Sequence, residues 1–156
     1  MAVERCADAD GEYIMNILTK FFVRANAFLF RITNGRLGDR MGKQSVLLLH
    51  TVGRKSGKSY TTPLSYYRDE ENFLIVASNW GMEEPPDWFR NLMLHSRTTI
   101  QVKDTTFQVE ARQAEGEEYQ RLWKDVTRQN SQYLEYQKTL TRRIAIVILT
   151  PVAKPG

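Results

Sequence analysis

Between Gly53 and Ser59 the chain reads Gly-Arg-Lys-Ser-Gly-Lys-Ser, a run of glycine, hydroxyl and positive charge flanked by two strand-like stretches. Gly53 and Gly57 permit backbone geometries with positive φ, and successive N–H groups in such a turn can converge into an anion-binding concavity. Arg54, Lys55 and Lys58 add charge, so the run could hold a phosphorylated or polycarboxylate ligand; the plainer reading is a solvated basic hairpin tip. It is not a nucleotide-binding P-loop. Three residues separate the glycines where that motif needs four, and Val52 stands where its first glycine would fall. A helix should also follow, with its N-terminus aimed at the phosphates. Here Tyr60-Thr61-Thr62-Pro63 follows, which is β-branched, aromatic and broken by proline, so ATPase and kinase chemistry are excluded.

A second group with chemical capacity is aromatic and hydroxyl-rich: Tyr66, Tyr67, Trp80, Trp88, Tyr133 and Tyr136. Tyr133 and Tyr136 are three apart and share one face of a helix. Two phenols beside an apolar wall could orient a quinone-like or nitroaromatic substrate and give a proton to a developing anion; equally, they could be core aromatics with hydroxyls reaching the surface. Other chemistry is poorly supplied. His50 lies within a strand pattern, His95 fits the C-terminal end of a short helix, and no Gly-x-Ser-x-Gly elbow occurs. Two histidines and the single Cys6 make no Cys/His metal constellation.

The elements that must position these groups follow from periodicity. From about Glu12 to Ile32, apolar residues recur at steps of three and four, with Asn16, Lys20, Arg24 and Arg31 opposite, which predicts an amphipathic helix. Its wide apolar face suits either packing on the domain or a partner, or a peripheral contact with an anionic membrane. Asn34 to Lys43 reads as an irregular basic linker. Two strands then flank the basic turn, and a tight acidic turn at Asp69–Asn72 leads to a third strand at about Phe73 to Ser78. Pro63 marks an edge or bulge position in the second strand. The segment Asn79 to Pro86 reads as a lid or site wall, and Pro86 opens a short helix from Asp87 to about His95. A hairpin spans Thr98–Val102 and Thr106–Arg112. Helix over Glu115–Gln129, a helical or irregular segment over Asn130–Leu140, and a buried strand over Ile144–Leu149 complete the chain. The order, meander then helix then hairpin then helices then strand, predicts a mainly β (α+β) fold, a small antiparallel barrel of about six strands with peripheral helices.

Composition sets outer bounds. The 156 residues suit one domain, here divided into 1–43 (amphipathic helix and linker) and 44–156 (barrel). A net charge of +4 favours anionic partners without choosing among them. Acidic residues interrupt the basic surface at Asp69–Glu71, Glu83–Glu84 and Glu115–Glu118, which argues against nucleic acid. The mixed-charge start predicts no signal peptide, and no stretch reaches the ~20 apolar residues of a membrane span. A cytoplasmic protein follows, soluble or peripheral on the inner face of the cell membrane.

The ordered blocks Leu48–Lys58, Thr62–Asp69, Ile75–Ser78, Pro86–Leu92, Tyr133–Gln137 and Arg143–Pro151 resemble the deazaflavin (coenzyme F-420)-dependent nitroreductases and quinone reductases of the split β-barrel, flavin-reductase-like class. The resemblance covers roughly Leu37 to Pro151. It implies that Arg54, Lys55, Ser56 and Lys58 bind the phosphate and glutamyl tail of the coenzyme. Pro63, Leu64, Ala77, Ser78 and Asn79 would line the deazaflavin ring, with Trp88 and Asn91 near the cleft. Ser78, Tyr133 and Tyr136 match positions that contact or protonate substrate. Asn79 stands where the family often carries lysine, and Asn130 replaces an aromatic found in some members. The implied reaction is hydride transfer from the reduced deazaflavin to a quinone or nitro compound. An FMN-dependent reductase on the same barrel and a non-catalytic cofactor- or lipid-binding protein are the alternatives, and the sequence leaves the oligomeric state open.

Overall fold

The computed structural model describes residues 40–41 and 44–152, with side chains from 45 onward. The elements are β1 (Arg40–Met41), β2 (Gln44–Val52), β3 (Ser59–Asp69), β4 (Asn72–Val76), a single turn at Asn79–Gly81, α1 (Asp87–Leu94), β5 (Arg97–Val102), β6 (Thr105–Gln113), α2 (Gly116–Gln129), α3 (Gln132–Thr139) and β7 (Ile146–Pro151). All strand pairings are antiparallel, in the order β1-β2-β3-β4-β7-β6-β5, and β5 pairs back onto β2. Strands β2 to β7 therefore close a six-stranded barrel. Closure removes the unpaired edges that an open sheet must protect.

Side-chain alternation decides what each face does. Leu47, Leu49, Phe73, Ile75, Ile100, Val109, Ala111, Val147 and Leu149 fill the inside, and Trp88 and Leu92 of α1 join them. On the outer face, Tyr67, Leu74, Val76, Ile146 and Ile148 pack under Tyr119, Leu122 and Val126 of α2 and Tyr133 of α3. Strands β4 and β7 are covered on both faces, which is why their sequences, Phe-Leu-Ile-Val and Ile-Val-Ile-Leu, show no polar alternation.

The expected hairpins are present. Asp69 pairs with Asn72 and Val102 with Thr105, each across a two-residue loop whose first residue, Glu70 or Lys103, has positive φ. Pro63 pairs with Leu48 on β2, while the ladder from β3 to β4 begins only at Tyr66, so the proline lies where β3 has its ladder on the β2 side. The linker read as irregular carries β1, which pairs with the start of β2. The amphipathic helix expected over Glu12–Ile32 lies outside the described residues. Among those described, no helix is long and apolar enough to cross a membrane, and no His/Cys/Asp/Glu group could hold a metal ion.

Candidate active site

The basic turn joins β2 to β3 and is closed by its own backbone: the Gly53 N–H donates to the Lys58 carbonyl at 2.8 Å and the Gly57 N–H to the Gly53 carbonyl at 2.9 Å. Gly57 has φ +68, the left-handed region that favours glycine. Gly53 is required for a different reason. A Cβ there would come within 2.6 Å of Ser56 Oγ and 2.8 Å of the Tyr60 ring, which closes over the turn.

The turn is braced against α1. Asn91, buried on α1, accepts from the Arg54 N–H at 3.1 Å and from Arg54 Nη1 at 3.0 Å, and Arg54 Nη2 reaches Asp87 at 3.1 Å. The guanidinium is thus committed to holding the loop. Lys55 and Lys58 are exposed and make no ion pair among the described residues. Between turn and helix lies a cleft of about 340 Å³ whose walls include Thr51, Arg54, Lys55, Ser56, Trp88 and Asn91. Trp88 serves two structures at once, plugging the barrel and walling the cleft.

Thr51 follows Leu47 and Leu49 at alternate positions of β2, the last of an inward-facing series. It is 5% exposed, and its Oγ1 is buried with no hydrogen-bond partner among the described residues. An orphaned buried hydroxyl costs about 1–3 kcal/mol, so its position on a ligand-sized cleft is informative.

Beyond β4 the backbone turns sharply. Asn79, Trp80 and Gly81 have φ of 47, 57 and 80°, three successive left-handed residues of which two carry side chains. Each non-glycine residue there costs roughly 1–2 kcal/mol. A second depression of about 380 Å³ runs along this segment from Asn79 to Asp87, and Asp87 is common to both hollows. Gly81 packs on Tyr136: a Cβ would fall 2.7 Å from the ring. The half-buried Ser78 and Tyr136 therefore flank the same turn.

Tyr133 points elsewhere. It is 7% exposed within the outer core, where its ring meets Tyr67 edge-on and the Tyr67 hydroxyl donates to its oxygen at 3.1 Å. Burial, followed by the Tyr67 phenol beside it, pushes the Tyr133 hydroxyl far above the ordinary tyrosine value. The helical spacing of Tyr133 and Tyr136 is as read, but their surroundings differ.

Of the residues singled out from sequence, Arg54, Lys55, Ser56, Trp88 and Asn91 wall the first cleft, and Lys58 belongs to its loop. Pro63 and Leu64 adjoin Thr62 of the cleft wall along β3, with Leu64 packed on the inner core. Ala77 is buried in that core, and Asn79 lines the second depression. His50 is structural: its Nδ1 is 3.0 Å from Thr61 Oγ1, and its carbonyl accepts from Thr98. Sequence reasoning missed Thr51, Asp87, Glu83 and Arg142. Only Thr51 left a signal, as a polar residue ending an inward-facing apolar series.

A closed antiparallel barrel plugged by a short helix, with a basic cleft at the plug, defines a flavin-reductase-like protein. The chain matches the family model of the F420H(2)-dependent quinone reductases over residues 22–151, and it belongs to that family. It is 39% identical over 132 residues to an F420H(2)-dependent quinone reductase of Mycobacterium tuberculosis (strain ATCC 25618 / H37Rv), covering 82% of this chain and 89% of the relative. A solved F420-H2 dependent reductase is 31% identical with TM-score 0.61, over 67% of this chain and 92% of that one. The haem storage protein HutZ of Vibrio cholerae shares the fold alone, at 15% identity and TM-score 0.58 over 73% and 86% of the two chains. Membership makes the chain a deazaflavin-dependent oxidoreductase and selects coenzyme F-420 over FMN. The lining is compatible with an anionic, ring-bearing coenzyme: it carries the cations Arg54 and Lys55, the aromatic Trp88, and a Thr51 hydroxyl without a partner among the described residues.

Proposed function

We propose that the protein reduces a quinone-class acceptor by hydride transfer with coenzyme F-420, bound with its acidic tail at the Gly53–Ser59 turn. The observation that carries this reading is the buried Thr51 hydroxyl, unpartnered among the described residues, on a basic cleft in a chain of this family. When bound, the reduced deazaflavin supplies a hydride from carbon 5, the chemistry that the protein itself lacks. Lys55 and Lys58 attract the tail, Arg54 keeps the loop at its place against α1, and Trp88 gives the ring a wall. Ser78 and Tyr136 stand at the acceptor side, where a hydroxyl can orient the acceptor oxygen and deliver the proton that, with the hydride, converts a quinone to a hydroquinone. Tyr133 keeps its proton and supports α3 through Tyr67.

Titrating the cofactor-free protein with coenzyme F-420 and with FMN, followed by fluorescence, tests the binding half; addition of menadione to the reduced complex tests the reaction. Preferential F-420 binding followed by menadione-dependent oxidation is expected. Preference for FMN would overturn the cofactor site, and binding without turnover by any quinone or nitro compound would favour a carrier. A peripheral membrane role for residues 12–32 belongs to the same reading, since it would bring the site to lipid-soluble acceptors. Liposome partitioning unchanged by deletion up to Thr33 would sink that part.

A further inference from the structure

The left-handed turn at Asn79–Gly81 is gripped by a side chain distant in sequence. Arg142 precedes β7, and its guanidinium donates to four carbonyls of a single segment: Ala77 at 3.0 Å, Ser78 at 3.0 Å, Met82 at 2.9 Å and Glu83 at 2.8 Å. The Glu83 carboxylate answers from the other side, accepting from the N–H groups of Thr141 and Arg142 at 3.1 Å and from the Thr141 hydroxyl. Asn79 Nδ2 closes the loop onto the Glu84 carbonyl at 2.7 Å. Five carbonyls and a carboxylate are therefore spent on keeping the chain in a conformation that its two side-chain-bearing residues disfavour.

What the clamp displays is Trp80, 63% exposed, on a turn that packs against Tyr136 and adjoins Ser78. Packing among the described residues does not explain so exposed an aromatic on a strained, heavily braced turn. Its chemical use is a flat, polarizable face on a turn that Ser78 and Tyr136 flank.

We propose that the Asn79–Gly81 turn is the acceptor-binding lip, with Trp80 as a stacking face for a planar, electron-poor ring and Arg142 as the positioning residue that holds it. This rests on the reductase reading given above. Arg142 acts through backbone carbonyls and touches neither acceptor nor coenzyme. Glu83 shares the task by tying the lip to Thr141 and Arg142.

The test uses the full chain and menadione as probe. In the cofactor-free protein menadione should quench tryptophan emission saturably, and the quenching should vanish in Trp80→Phe, which keeps an aromatic face. Trp80→Ala should raise the menadione KM about 3- to 10-fold, with kcat and the F-420 dissociation constant within about twofold, and Trp80→Phe should recover most of that loss. Because Trp80 is exposed, these variants will fold whatever Arg142 does. Arg142→Lys cannot reach four carbonyls and should reproduce the KM shift, and the double variant with Trp80→Ala should add nothing further. An unchanged KM in Trp80→Ala would overturn the proposal, as would an Arg142→Lys effect on coenzyme binding as large as that on menadione. Quenching assigned to Trp80 in a protein that never oxidises the reduced coenzyme would uphold the lip and reject the reductase reading.

Discussion

Asn91 Oδ1 receives two hydrogen bonds from Arg54, one from its backbone N–H and one from its guanidinium. The basic turn is thereby fastened to the helix that plugs the barrel. Arg54→Lys preserves the charge but cannot make both the Asn91 and Asp87 contacts, and it should lower stability by about 1.5–3 kcal/mol, the range for a hydrogen bond to a charged group. Lys55→Ala should leave the denaturation midpoint unchanged and instead weaken F-420 binding several-fold, with a shallower salt dependence. Denaturant unfolding and fluorescence titration separate the two effects.

Asp87 opposes the charge of the cleft it borders. Its side chain is 81% exposed, so its ion pair with Arg54 contributes about 1 kcal/mol at most. Asp87→Asn should therefore fold normally and bind F-420 about 2- to 5-fold more tightly at low salt. Titrations at two ionic strengths check this, and weaker binding would show that Asp87 orients Arg54 for the ligand.

Thr51→Val exchanges the unpartnered hydroxyl for a methyl group of the same shape. Without ligand the variant should gain up to about 1 kcal/mol, because a buried polar group no longer goes unsatisfied. With coenzyme it should lose about 5- to 10-fold in affinity if the hydroxyl meets the ligand. Thermal melts with and without F-420 report both signs in one experiment.

The Tyr67–Tyr133 contact predicts alkaline behaviour. Burial raises the Tyr133 phenol first, and burial likewise raises Tyr119, whose hydroxyl donates to the Ile144 carbonyl at 2.7 Å. Near the ordinary tyrosine value of 10 the unfolded chain begins to release these protons while the folded chain keeps them. Stability is thus complete below that pH and declines as pH rises above it. Tyr133→Phe should cost about 1–2 kcal/mol at neutral pH by leaving the buried Tyr67 hydroxyl without its acceptor. It should also flatten the alkaline decline, leaving the share due to Tyr119.

Most elements could be read from local pattern. The Asp69–Asn72 and Val102–Thr105 turns, the proline-led α1 and the unbroken apolar β7 each carry their cause within a few residues. The pairing of β5 with β2, and the insertion of β7 between β4 and β6, join segments far apart in the chain and have no local signature. The site divides the same way. The glycine, lysine and serine pattern of the basic turn marks a tight charged loop between two strands, whereas the four carbonyls gathered by Arg142 come together only after the barrel has closed. Tyr133 and Tyr136 show the limit most plainly. Helical spacing places them on one side of α3, but only tertiary packing puts one beneath Tyr67 and the other against Gly81.

The last described strand in sequence is not at the end of the strand order in the barrel. Because β7 lies between β4 and β6, a growing chain can zip its β2–β4 meander and its β5–β6 hairpin during synthesis, yet both keep a bare edge until Pro151 is available. Two unpaired strand edges are the kind of template on which chains aggregate, so the strand that covers both has a protective value beyond its share of the core. Arg142 and β7 belong to one stretch of chain, so the residue that clamps the Asn79–Gly81 turn and the strand that seals the barrel are supplied together.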